Sequence, residues 1–498
     1  MLRTPLPRLF SLIAVLVFAG VSRAGDDKDN WFIVEMLGQR AGWMHSTTAT
    51  KGDQVTSTSK MHLAIKRGET VIKVSMDSLF VETAAGKPIS MAAVESLSAT
   101  PTVKTYTFQE DGTIELVTEQ NGQQSKETFA KPDGVWLAPA AADRYVIERF
   151  KSGAKEIKVR SIDPLSGPKP VSVTRSGFEK ATITLEGRKL DVTKVKSTNS
   201  VAPLVSSTEY LDENGEAVRT DTNLGILALK ILATTREKAL ADSPAPELMV
   251  NTFVKPDKPI HEPRDAKKLV LVASVPDGEL PELPNTGSQK VETLTPTSAT
   301  VTITSRGAAK AAPAPEADSN NGQYLKATAM ANIDDPKVKE LAKQAVEKAG
   351  NDPAARAEAC RRFVYRYIKK KNLDVGFASA SEVARNKEGD CSEHGVLLTA
   401  LLRANGIPAR AATGLIYVDD FEGSQGIFGY HMWAQALLTV DGKARWVDLD
   451  GTLPNSMPFD ATHITLATTD LADGESISGL AAIAPLMGRL QIKVQSAE

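Results

Sequence analysis

The chain has 498 residues, with 59 Lys and Arg against 61 Asp and Glu and a formal net charge of −2. So even a balance excludes the basic footprint of a nucleic-acid binder and a polybasic membrane patch. The length exceeds what one hydrophobic core supports, so at least two domains are expected.

Taken in order, residues 1–24 read as a signal peptide. Arg3 and Arg8 precede the apolar run "LFSLIAVLVFAG", and "SRA" ending at Ala24 has small residues where a signal peptidase needs them. That run is 12 residues long, short of the roughly 20 that span a bilayer. The expectation is an exported, soluble product, periplasmic or extracellular, with no membrane segment after cleavage.

Residues 25–240 show alternating or β-branched runs such as "TVIKVSM" and "ATITLEG", separated by turn signals including "EDGT" and "ENGE". They predict a large antiparallel β domain. Within it His45 and His62 stand isolated, and Trp31 and Trp43 are read as core residues. "NLGILALKILATTREKAL" (223–240) fits one helix or a strand running into a helix. Residues 241–322 read as linkers flanking a small β module, because proline, charge and low-complexity segments surround "KKLVLVASV" and "ATVTITS".

The texture turns helical in 323–498. Asp335-Pro336 and Asp352-Pro353 each place an N-cap before a proline at the first helical position. The first helix carries Val338, Leu341, Ala342, Ala345 and Ala349 on one face before Gly350. The second carries Cys360, Phe363, Val364, Tyr367 and Ile368. Ser379 with Glu382 forms a capping box for a short third helix that stops by Gly389. "CSEHGVLLTALLRAN" then starts a core helix at Cys391, with Gly406 as its stop.

Cys391 therefore sits where unpaired N–H groups and the positive end of the helix dipole favour a thiolate and can bind an oxyanion. A cysteine nucleophile needs a base. In "GYHMWAQALLTVDGKARWVDLDGT" (429–452) the "DG" at 441–442 predicts a two-residue hairpin turn pairing Val440 with Lys443. On that register His431, Trp433 and Gln435 share a face with Asp450, Asp448 and Trp446, and Asp450 is the diagonal neighbour of His431. Asp450 is the expected partner of His431, with Asp448 in reserve. Trp433 and Trp446 flank this face and are the candidates for lining a substrate cleft, core packing being their default.

"GDC", "LLRANGIPAR", "HMW" and "WVDLDGT", in that order across about residues 323–465, resemble the transglutaminase-like superfamily. The resemblance implies an α+β core of helices packed on an antiparallel sheet, here preceded by the large β domain. It also implies a triad of Cys391, His431 and Asp450. The family often has proline after its aspartate, where this chain has Gly451.

Such a triad implies an amide-bond enzyme working through a thioester, resolved by water in a peptidase or amidase and by an amine in a transglutaminase. No cofactor or metal is required by that chemistry. The expected partners are a protein or peptide substrate and an envelope partner met by the β domain, with no nucleic acid. The alternative is a catalytically inactive scaffold in a binding module.

Blander readings stand beside these. Cys360 and Cys391 are the chain's two cysteines, and an exported chain favours pairing them. Cys391, Glu393 and His394 lack the second Cys or His pair of a zinc site. His394 is given a packing role beside the sulfur, His463 is read as a strand residue at the core edge, His261 as solvated, and Arg403 and Arg410 as structural.

Overall fold

The computed structural model describes residues 27–67, 70–96, 101–120, 122–200, 205–222, 228–247, 249–276, 278–305, 322–373, 377–421, 423–440, 442–472 and 486–498. The expected signal peptide, most of the low-complexity stretch before residue 322, and Asp441 of the hairpin turn lie outside these residues. Two compact units result. One ends at Pro246, and the other holds Glu247–Glu498 together with Arg67–Thr70.

The first unit is antiparallel sheet, fourteen strands among the described residues, from β1 (Lys28–Met36), β2 (Gln39–Lys51) and β3 (Gln54–Arg67) to β14 (Leu229–Thr234). Alternation does the folding: β3 buries Val55, Met61, Leu63 and Ile65 on one face and turns the intervening residues outward. The first and last strands pair, Ile33 opposite Leu232. Helix α1 (Pro139–Lys151) has no cap of its own, and the buried Glu82 accepts from the Ala140 and Ala141 N–H groups at 3.0 Å each. Of the ambiguous 223–240 stretch, residues 223–227 lie outside the described residues and the rest forms β14 followed by α2 (Arg236–Leu240). His45 and His62 are not isolated as expected. Their rings stack on Trp31 at 3.9 Å and Trp43 at 4.3 Å, so these tryptophans form a half-buried stripe instead of filling the core.

In the second unit, β15 (Lys268–Ser274), β16 (Gln289–Thr295) and β17 (Ser298–Thr304) form a sheet with the C-terminal strand β22 (Gln491–Ala497), in the order β16-β17-β15-β22. The region 241–322 is thus no free-standing module, because β15 finds its second partner more than 200 residues away, Leu271 opposite Val494. A second sheet has the order β20-β19-β18-β21, from β18 (Ala409–Phe421), β19 (Ser424–Val440), β20 (Lys443–Leu449) and β21 (His463–Thr469).

Four helices cover one face of it: α3 (Pro336–Val346), α4 (Pro353–Tyr367), α5 (Ala380–Asn386) and α6 (Cys391–Ala404). Their apolar stripes share one core with Ala409, Ala411, Met432, Ala434 and Ala436 of the sheet. Asp335 and Asp352 cap α3 and α4 as their sequences predict, and Ser379 with Glu382 closes the capping box of α5. Among the described residues no helix is long and apolar enough to cross a membrane. The architecture is α+β, a helix-covered antiparallel sheet preceded in the chain by a large β domain.

Candidate active site

The start of α6 is built from "GDC". Gly389 has φ +144°, and a Cβ there would lie 2.3 Å from Glu393 Cβ and Cγ, so only glycine lets the chain turn in so tightly. Asp390 is the N-cap: its Oδ1 accepts from the Ser392 N–H at 2.8 Å, while Glu393 reaches back to accept from the Asp390 N–H at 2.9 Å. Cys391 is the first helical residue. One turn on, Gly395 presses the helix against β19, where an added Cβ would lie 3.0 Å from Met432 Cγ.

The hairpin has the register read from its sequence, Val440 opposite Lys443 and Ala434 opposite Leu449. Pairing with β20 stops there, and farther along β19 Phe428 exchanges backbone hydrogen bonds with Val254. The Met432 N–H donates to Cys391 Sγ.

Just past β20, Asp450 Oδ2 accepts from His431 Nε2–H at 2.8 Å, and Asp450 Oδ1 accepts from the Thr452 N–H and hydroxyl at 2.7 Å each. Because a carboxylate only accepts, His431 Nε2 carries a proton, and in the neutral ring the lone pair is then on Nδ1. Asp450 is fully buried. Desolvation alone would raise its carboxyl, but His431 and His463 hold it well below the usual carboxylate range.

Other expectations are corrected. Asp448 does not approach His431; it accepts from Trp433 Nε1 at 2.9 Å, Gln435 Nε2 at 2.7 Å and the Ser288 N–H at 2.7 Å, tying strands together. Trp433 is 0% and Trp446 1% exposed, so neither lines an open cleft. Trp433 packs beside His431, ring centroids 5.9 Å apart, and Trp446 lies under the Arg410 guanidinium at 4.0 Å. Both cysteines are free. Asn405 Nδ2 at the C-terminal end of α6 donates to Cys360 Sγ at 3.7 Å. Cys391 begins the same helix, about 20 Å away at 1.5 Å per residue. Burial pushes the Cys360 thiol up to about 12.

The helix terminus does not by itself produce a thiolate. Burial, followed by the Asp390 carboxylate, pushes the half-buried Cys391 thiol well above its ordinary value, against the lowering effect of the Met432 N–H. His394 donates from Nδ1 to the Asp390 carbonyl at 2.6 Å, and burial holds it down to about 4, so it stays neutral. Arg403 is spent on the carbonyls of Ala409, Lys326 and Asp470 at 2.9, 3.0 and 2.5 Å.

Two further residues belong here: His463, read from the sequence as a strand residue at the core edge, and Arg361, which the sequence did not single out. His463 is 1% exposed and donates from Nε2 to Asp450 Oδ2 at 3.2 Å. With His431 and Asp450 it brings three ligand-type atoms within 4.8 Å of one another, and both histidines hydrogen-bond the Asp450 carboxylate. Arg361, on α4, is buried and donates to the carbonyls of Asp450 at 3.4 Å and Leu453 at 3.0 Å, fixing the turn that carries Asp450. A basic residue on an otherwise apolar helical face was its one signal in the sequence. A cavity of about 400 Å³ lies between α4, β20 and residues 455–459, and neither Cys391 nor His431 lines it.

No curated protein matches the chain. Among solved structures, a β-barrel-like protein of a domain of unknown function from Brucella abortus is similar at 12% identity and a TM-score of 0.31, over 42% of this chain and 95% of that one. A candidate cysteine protease from Cytophaga hutchinsonii is similar at 16% identity and 0.28, over 47% and 88%. The periplasmic domain of TgpA from Pseudomonas aeruginosa, bound to ethylmercury, is similar at 14% identity and 0.26, over 40% and 88%. The family model that matches is that of the transglutaminase-like superfamily, over residues 339–451, so the part of the chain holding Cys391, His431 and Asp450 is a transglutaminase-like domain.

Proposed function

We propose that the protein is an exported, cysteine-dependent amide-bond enzyme with Cys391 as nucleophile, His431 as base and Asp450 as the residue that orients it. The observation that carries this is the bond from His431 Nε2–H to Asp450 Oδ2 at 2.8 Å. It leaves Nδ1 as the ring nitrogen that would take the thiol proton of Cys391, the residue that opens α6. Since the surroundings raise the Cys391 thiol, the sulfur rests as a thiol, and the thiolate forms as its proton moves to His431.

The thiolate adds to an amide carbonyl, and N–H groups at the start of α6 meet the developing oxyanion. His431 returns the proton to the departing nitrogen as the C–N bond breaks, leaving a thioester on Cys391. Water or an amine, deprotonated by His431, then displaces the sulfur. Water gives peptidase or amidase action and an amine gives transglutaminase action. The proposed substrates are protein or cell-envelope peptides. The targeting segment supports a place in the periplasm or outside the cell, and the β domain is proposed to meet an envelope partner.

The test is incubation of the mature protein and its Cys391→Ala variant with a glutamine-containing peptide mixture and a fluorescent primary amine. New peptide termini report hydrolysis and amine incorporation reports transfer. Both signals should vanish in a variant whose circular dichroism is unchanged, and turnover surviving in Cys391→Ala overturns the proposal.

A further inference from the structure

His463 is buried in a setting that dictates its charge. Its Nε2 faces Asp450 Oδ2 at 3.2 Å, and its Nδ1 faces the Asp460 carbonyl at 3.2 Å and Asp460 Oδ1 at 3.3 Å. Each of these partners is a carbonyl or carboxylate oxygen, so both ring nitrogens must donate, and an imidazole that donates from both is a cation. Phe459, stacked at 4.1 Å, and Trp433, edge-on at 5.4 Å, fix the ring plane.

The charges around it balance. Asp450 and Asp460 supply two negative charges, and His463 and Arg264, which binds Asp460, supply two positive ones. From the neighbouring strands, β18 contributes the uncharged Ile416 opposite His463, and β19 contributes His431. Lys371 acts on Asp450 from farther away. In a triad with a bare carboxylate, the anion favours the imidazolium. Here both histidines bind the same oxygen of Asp450, and the second has already supplied its counter-charge.

Resting on the reading of Cys391 and His431 as nucleophile and base, we propose that His463 is a positioning residue, a buried imidazolium that neutralises Asp450 and so keeps His431 an uncharged base and Cys391 an uncharged thiol. Burial by itself would discharge His463, yet Asp460 and Asp450 push it up to about 9.

The ring centroids of His431 and His463 are 5.8 Å apart. At an effective dielectric of about 20, a unit charge at that distance corresponds to roughly two pH units. Removing it should shift the thiol–imidazole pair towards thiolate–imidazolium, so the variant's cysteine becomes more reactive at neutral pH.

The experiment has two arms, neither requiring a substrate. In nitrogen-15 histidine spectra of the wild-type protein at pH 7.5, both His463 ring nitrogens should carry protons, the resonance being assigned by its loss in His463→Gln; a neutral ring overturns the proposal. In a Cys360→Ala background, iodoacetamide alkylation of Cys391 at pH 6.5 should be about 10- to 100-fold faster in His463→Gln and His463→Phe, and the gain should disappear when His431→Ala is added. An unchanged or slower rate overturns it. So does a gain surviving in the His431→Ala background, which would report exposure. If the peptide and amine assays fail while both arms succeed, the enzyme reading falls and the charge arrangement stands.

Discussion

Replacing Asp450 by asparagine changes one oxygen into an NH₂ group in a site with no room to rearrange. The carboxylate accepts two bonds from Thr452 on Oδ1 at 2.7 Å and one each from His431 and His463 on Oδ2 at 2.8 and 3.2 Å. If the amide oxygen keeps Thr452, the NH₂ group meets two Nε2–H groups, donor against donor. Turning the amide round abandons the bond from the Thr452 N–H, at about 1–3 kcal/mol for a group left unpaired, while the Thr452 hydroxyl can turn to accept from the NH₂. The lower-cost escape is for His431 to move its proton from Nε2 to Nδ1, the atom that must be empty to receive the thiol proton. Asp450→Asn is therefore expected to lower turnover roughly 10⁴-fold, the scale of a wrong-tautomer triad. It should also cost on the order of 3–5 kcal/mol in stability, because His463 loses a buried counter-charge. Turnover in the peptide and amine assays, with urea unfolding of the same samples, measures both. A folded variant within tenfold of wild-type turnover would refute the tautomer argument.

Gly389→Ala forces a Cβ into Glu393 at a φ that alanine avoids. It should lower stability by about 2–4 kcal/mol, from the lost capping box and backbone strain; an unchanged urea midpoint contradicts this. Native protein at pH 8 should be alkylated at the half-buried Cys391 and not at Cys360, which is 0% exposed, and unreduced, denatured protein should show two free thiols by mass. A mass indicating a Cys360–Cys391 bridge rejects the free-thiol structure. His463 is raised from 6.5 to about 9 on folding, so its contribution is fully present below pH 6.5 and is lost as pH rises through 9. That contribution is on the order of 3 kcal/mol. Urea midpoints of the wild type should fall across this window more than those of His463→Gln, and parallel curves would show that the charge contributes nothing.

The sequence by itself determined those features whose physics is local. Asp335, Asp352, Ser379 and Asp390 cap N–H groups two or three residues away, so their helices start where the pattern says. The hairpin register depends on a turn of two residues and an alternation of period two, enough to bring Asp450 rather than Asp448 to His431. Tertiary structure decided what depends on partners distant in sequence and on burial. Pairing of β15 with β22 absorbed a supposed module into the second unit. Burial of Trp433 and Trp446 removed them from any open cleft. Desolvation with a neighbouring carboxylate raised a thiol that the helix dipole alone would have lowered. Arg361 and His463 became part of the site only because Asp450, 89 and 13 residues away, converges on both. No spacing rule encodes such convergence, since it arises where separate elements meet and exclude water.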